Sequence, residues 1–257
     1  MAGWYHLGGD ELIFSYGKTA STFLLNINKK GKHLKRFPGL SEEFGLFDFD
    51  RVSKQLVVKE KILPYIVVRH PLERFISGMH MILNGPLYTS LWGPEKPRNK
   101  ERNKKYWLDL LNTFNQMHIP DDTEWYHMTS ELISKSGEYD IFKLLCIQPR
   151  EQYHIGNYMF KTEQLKMEMC IIDLGSLNFF LQQRNIDFED IDTHSHSAYS
   201  DKHDYEHFKE IFSLCDAIEK INNYLEPEIK IYNKLINFEL PNVIKVYMDN
   251  KEITCPT

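Results

Sequence analysis

The chain has 257 residues, 42% hydrophobic and 26% charged, so it can bury a full core and reads most simply as one domain over residues 1–257. Its formal net charge of −5 excludes a general nucleic-acid binder, because neutralising phosphates needs a basic surface. Cys146, Cys170, Cys215 and Cys255 lie far apart and form no C-x-x-C pair, which favours reduced thiols over a disulfide framework or a zinc site. Residues 1–10 are mixed and glycine-bearing, unlike a signal-peptide core or a membrane span, and the expectation is a soluble cytoplasmic protein with no stable membrane anchor.

In chain order, the run Leu12-Ile13-Phe14 predicts a short buried strand, taken as the first of the chain. It leads through Ser15-Tyr16-Gly17-Lys18-Thr19-Ala20-Ser21-Thr22 into a helix on which Phe23, Leu24 and Ile27 recur, with Lys29 and Lys30 in the last turn and Gly31 as its cap. The first amides of such a helix lack intrahelical partners and carry the positive end of the macrodipole, so a phosphate or sulfate is held there by backbone N–H groups. Lys18 adds a full charge, and Thr19, Ser21 and Thr22 add donors. A nucleotide-triphosphate P-loop would need a second glycine five residues before Gly17, where the chain has Leu12.

A further strand is expected near His33 to Phe37, a helix near Phe49 to Val58, and a buried strand over Tyr65 to Val68. Pro71 suits the start of a helix carrying Phe75, Met79 and Ile82, and several more helices follow. Arg69 then sits at the C-terminal end of a strand, the edge at which open α/β sheets bind ligands. Ser77 lies eight residues on, about two turns into the helix. A guanidinium fork with a serine hydroxyl suits a terminal phosphate. The β/α alternation predicts an α/β fold with a central parallel sheet flanked by helices.

Together, Lys18-Thr19-Ala20-Ser21-Thr22 and Arg69-His70-Pro71-Leu72-Glu73-Arg74-Phe75-Ile76-Ser77 resemble the two motifs of the sulfotransferases that use 3'-phosphoadenosine 5'-phosphosulfate. The wording is closest to the carbohydrate enzymes of the heparan 2-O and chondroitin or HNK-1 type. Weaker likeness continues in Gln152-Tyr153, Gly156 and Tyr158 to Leu165, and Tyr224 to Asn233 resembles the family's closing aromatic-rich helix. Two departures stand out: position 70 is His where many members have Asp, and the stretch between Lys18 and Arg69 is short for the family.

The resemblance implies a P-loop-like three-layer fold with a helix-rich C-terminal half, no metal requirement, and 3'-phosphoadenosine 5'-phosphate as the nucleotide product. Gly17, Lys18, Thr19, Ala20, Ser21 and Thr22 would surround the phosphosulfate, with Lys18 on the leaving oxygen. Arg69 and Ser77 would hold the 3'-phosphate, and a late polar loop would add Ser197 and Lys202. The catalytic base is expected first at Glu43 and second at Glu42, with His33, Asp48 and His80 as further candidates. The acceptor would be a hydroxyl, with a glycan favoured by the likeness alone.

Residues 93–105 lack apolar periodicity and read as a mobile basic loop, either a solvated insertion or a grip for an anionic acceptor. Trp92, Trp107 and Trp125 could stack on sugar rings, although Trp107 with Leu110 and Leu111 reads as core. His194, His196, His203 and His207 include one i, i+4 pair but complete no recognised metal motif. Two alternatives stand beside sulfuryl transfer: a nucleotide or small-molecule kinase using the Lys18 loop with ATP and magnesium, and a non-catalytic nucleotide- or glycan-binding protein.

Overall fold

The computed structural model describes residues 3–8, 11–15, 19–29, 35–36, 62–84, 166–188, 206, 209–210, 212–214 and 218–255. The expected helix near 49–58, the basic loop 93–105, the three tryptophans, the segment 152–165 and the histidines 194–207 all lie outside them.

The chain falls into two compact units, the first comprising residues 1–71, 153–195 and 228–257 and the second residues 72–152 and 196–227. The first carries a seven-stranded sheet. Its strands are β1 (Gly3–Gly8), β2 (Glu11–Ser15), β3 (Lys35–Arg36), β4 (Leu63–Val68), β5 (Met169–Asp173), β6 (Val243–Met248) and β7 (Lys251–Thr254), in the order β3-β1-β2-β4-β5-β6-β7. Strands β2, β4, β5 and β6 run parallel, whereas β1, β3 and β7 add antiparallel pairings at the two sides.

The sheet is therefore mixed rather than wholly parallel. The strand at Leu12 is also not the first of the chain, because β1 precedes it as an antiparallel partner, with Trp4 opposite Phe14. Of the strand expected near 33–37, Lys35 and Arg36 pair with β1. The helix-rich C-terminal half also supplies strands β5, β6 and β7, the last two joined by a two-residue turn in which Asp249 and Asn250 have φ of 51° and 54°. Left-handed residues at both central positions give the turn whose twist matches that of its strands.

The central strands are continuous apolar runs because both of their faces are covered. From Leu12 to Ser15 every residue of β2 is buried, as is every residue of β4 from Pro64 to Val68. Pro64 is tolerated because the ladder to β5 begins only at Tyr65. One face carries Ile13, Tyr65, Val67, Cys170 and Ile172, packed against Phe23, Leu24 and Ile27 of helix α1 (Ser21–Lys29) and against Leu177, Phe180 and Leu181 at helix α3 (Leu177–Gln182). The other carries Trp4, Phe14, Ile66, Val68 and Ile171 against Tyr232 and Leu235 of helix α4 (Ile218–Ile236). Burying each such side chain stabilises the fold by roughly 1.5–3 kcal/mol.

The second unit contains helix α2 (Pro71–Asn84) from Leu72 onward and α4 up to Pro227. Within it Phe75 and Phe212 are buried against each other, ring centroids 6.3 Å apart, and Lys209 bonds Glu73 at 2.8 Å. No helix among the described residues is long and apolar enough to cross a membrane.

A polar staple ties the start of β2 to the residues after α3. The Arg184 guanidinium donates to Glu11 at 2.7 and 3.0 Å, and the Tyr65 hydroxyl donates to the same carboxylate at 2.6 Å. Arg184 Cζ lies 3.7 Å from the Phe180 ring centroid and 4.7 Å from that of Tyr65, a stacking that suits a delocalised cation. Burial pushes the Glu11 carboxyl up, but the donors Arg184 and Tyr65 outweigh it and hold the group below its ordinary value. A carboxylate with a depressed folded value contributes stability above its unfolded value, and that contribution is lost as the pH falls through the folded one. Glu11→Gln is accordingly expected to be less stable than the parent at neutral pH, with the gap closing as acid protonates Glu11. Urea titrations at a series of pH values check this, and a pH-independent gap would contradict it.

Candidate anion site at the C-terminal edge of the sheet

Parallel pairing aligns the ends of β2 and β4, with Ser15 opposite Val67, so residues after Ser15 and after Val68 leave the sheet at one edge. Ser15, the last residue of β2, and Thr19, two residues before α1, are bonded to each other. The Ser15 hydroxyl donates to the Thr19 carbonyl, and the two side-chain oxygens share a hydrogen bond of 3.1 Å. Both residues are fully buried. Thr19 is thus pinned to the end of the strand through both its hydroxyl and its backbone carbonyl.

Ala20 follows with φ of 65°, the left-handed region that a Cβ disfavours. Its carbonyl accepts from Leu24 N at 3.0 Å, the first bond of α1, so the amides of Ser21, Thr22 and Phe23 precede the helical ladder. A left-handed residue at the mouth of a helix turns successive N–H groups into a concavity for an anion. Gly17 and Lys18 lie outside the described residues, and Ser21 and Thr22 are the first two residues of α1.

At the end of β4, Arg69 and His70 are partly buried, and Pro71 opens α2 as the sequence predicts. Ser77 is buried in α2 and belongs to the second unit. His80 is also on α2. His33, Glu42, Glu43, Asp48, Ser197 and Lys202 lie outside the described residues. Of the sequence-derived site residues, the structure therefore brings Thr19, Ala20, the start of α1 and Arg69 to one edge.

The structure adds groups there that sequence reasoning did not single out. Asp173 ends β5 opposite Val68, and both of its oxygens are engaged: Oδ1 accepts from the Tyr232 hydroxyl at 2.9 Å and Oδ2 from Gly175 N at 3.0 Å. A β-carbon at Gly175 would stand 3.1 Å from Oδ2, so a side chain there would crowd the carboxylate. The Tyr232 ring meets the His70 ring edge-on, centroids 5.3 Å apart. Further along, the Asn250 amide donates to the buried Ser176 Oγ at 2.9 Å and ties the β6–β7 turn to the end of β5. An acid ending the apolar run Met169 to Ile172 is the sequence signal that could have found Asp173.

Cys170, by contrast, is chemically quiet: burial pushes its thiol up to about 12. No protein-family model matches the chain, and neither does any curated protein or solved structure.

The left-handed Ala20 yields a prediction opposite to the usual one for helix borders. Ala20→Gly removes a steric cost of about 1–2 kcal/mol and pays back part of it in unfolded-chain entropy, so it is expected to leave stability unchanged or raise it by up to about 1 kcal/mol. Thermal unfolding reads this directly, and a drop of several degrees would contradict the assigned backbone.

Proposed function

We propose that the protein is a sulfotransferase that moves a sulfuryl group from 3'-phosphoadenosine 5'-phosphosulfate to a hydroxyl acceptor, with a carbohydrate as the favoured class. The observation that carries the reading is the parallel register of β2 and β4, which gives the loop motif and the Arg69 motif a common edge. The sequence order of the two motifs supports the same reading, and so does the strained turn at Ala20.

In this reading the acceptor oxygen attacks sulfur in line with the bridging phosphate oxygen. The new S–O bond forms as the old one breaks, and the electron pair leaves on 3'-phosphoadenosine 5'-phosphate. Lys18 and the first amides of α1 neutralise the charge that grows on the leaving oxygen. Glu43, with Glu42 as second candidate, takes the acceptor proton. Arg69 and Ser77 fix the far end of the donor through its 3'-phosphate, so binding energy from a non-reacting part of the substrate orients the sulfur.

Two measurements test this. Thermal unfolding with 3'-phosphoadenosine 5'-phosphate at about 100 times its dissociation constant should add about 2.7 kcal/mol, a shift of roughly 5–10 °C, with little effect from ATP and magnesium. A shift with ATP and magnesium alone would favour a kinase, and no shift with either would remove the reading. Lys18→Ala should lower turnover by about 100- to 1000-fold with the nucleotide still bound. Unchanged turnover would exclude Lys18 from leaving-group stabilisation.

A further inference from the structure

The sheet of the first unit ends on one side in β7, and every residue of that strand is exposed. The ladder to β6 determines which main-chain groups of β7 are spent. Met248 and Lys251 flank the two-residue turn and so form a hydrogen-bonded pair, and such pairs recur at every second residue along the ladder. The Cys255 amide, which donates to the Ile244 carbonyl at 3.1 Å, keeps the same phase. Lys251, Ile253 and Cys255 therefore turn their N–H and C=O groups to β6. Glu252 and Thr254 turn theirs outward, to the open edge.

Natural sheets blunt an open edge with charge, and here the charge is withdrawn. The Glu252 carboxylate is held back over β6, where Lys245 bonds it at 2.6 Å and the Tyr247 hydroxyl donates to it at 2.7 Å. Lys251 stands at the turn, to one side of the outward groups. On the opposite face the register sets Trp4, Phe14, Ile66, Ile171 and Val246 in one row across the strands, all of them buried, and the next member of the row is Ile253. Ile253 is exposed. The apolar core of this face thus runs out to the edge and ends on an uncovered β-branched side chain.

We propose that β7 pairs antiparallel with β7 of a second copy of this chain about a two-fold axis at Ile253, which joins the two sheets into one. The edge is self-complementary in that register. Glu252 faces Thr254 of the second copy and Thr254 faces its Glu252, so every outward N–H and C=O group of both strands is used. Each Thr254 hydroxyl then lies across from a carboxylate, and Lys251 falls opposite Cys255 rather than opposite a like charge. The two Ile253 side chains meet on the axis as the closer, non-hydrogen-bonded kind of pair, and the apolar rows become continuous. An axis at Glu252 would set two carboxylates against each other. An axis at Thr254 would set Glu252 against Pro256, which has no N–H to give. One short strand pair lies below the roughly 1,200 Å² of a standard interface, so the dimer is weak and reversible.

The test is sedimentation of the full chain from about 1 μM to about 1 mM, the range of weak association. The mean mass is expected to rise with concentration from that of one chain toward that of two, and to stop there because the pair consumes the edge. Thr254→Pro deletes an outward N–H and leaves the ladder to β6 whole, so it should sediment as one chain throughout with thermal unfolding close to the parent's. Ile253→Lys places like charges on the axis and should do the same, which keeps the test intact if the proline variant folds poorly. The register is read by mild oxidation in a Cys255→Ser background, where Ile253→Cys should give a disulfide-linked dimer and Glu252→Cys should not. A parent that stays one chain at every concentration, or grows past two, would overturn the proposal. So would association that survives both Thr254→Pro and Ile253→Lys, or cross-linking of Glu252→Cys in preference to Ile253→Cys. None of these results bears on the sulfotransferase reading, which nucleotide binding tests separately.

Discussion

The arrangement depends on one constraint, the in-register parallel pairing of β2 with β4. Both strands are buried on both faces, and a one-residue slip would turn Ile13, Tyr65 and Val67 away from α1 and α3 and toward α4. The register is therefore held by the whole core. Its consequence at the edge is local: Ser15 stands opposite Val67, so the segment leading into α1 and Arg69 leave the sheet at one edge.

Charge is divided between the two ends of these strands. At the start of β2 the Glu11–Arg184 pair is closed, with Tyr65 completing the carboxylate and aromatic rings covering the guanidinium. A second closed set lies on β6 and β7, where Glu252 bonds Lys245 at 2.6 Å and accepts from Tyr247 at 2.7 Å. Lys245 first, then Tyr247, holds the Glu252 carboxyl below its ordinary value against the cost of burial. These groups serve stability. At the opposite end of the strands the acid, Asp173, has both oxygens engaged, by the Tyr232 hydroxyl and the Gly175 amide.

Much of the first unit was legible in the sequence, because strands buried on both faces read as unbroken apolar runs. Leu12 to Phe14 and Tyr65 to Val68 were found this way, and Pro71 fixed the start of α2. Strand β1 was not, since Gly3-Trp4-Tyr5-His6-Leu7-Gly8 mixes glycine, aromatic and polar residues, and its strand state comes from pairing with β2 rather than from local pattern. The β6–β7 hairpin carried a usable signal in Asp249-Asn250 between two β-rich runs, but the family likeness suggested that a helix closes the chain. At the site, Thr19 and Arg69 were readable as residue types at motif spacing. The Ser15–Thr19 lock and the Asp173–Tyr232–His70 set were not, because they join residues whose proximity only the strand order creates.

The most direct measurement is amide hydrogen exchange along the chain with and without 3'-phosphoadenosine 5'-phosphate. A nucleotide seated where the ends of β2 and β4 meet should slow exchange in the segment running from the loop after Ser15 into the first turn of α1, and at the residues following Val68. Protection confined to other segments, with both of these unchanged, would contradict a common anion site at that edge.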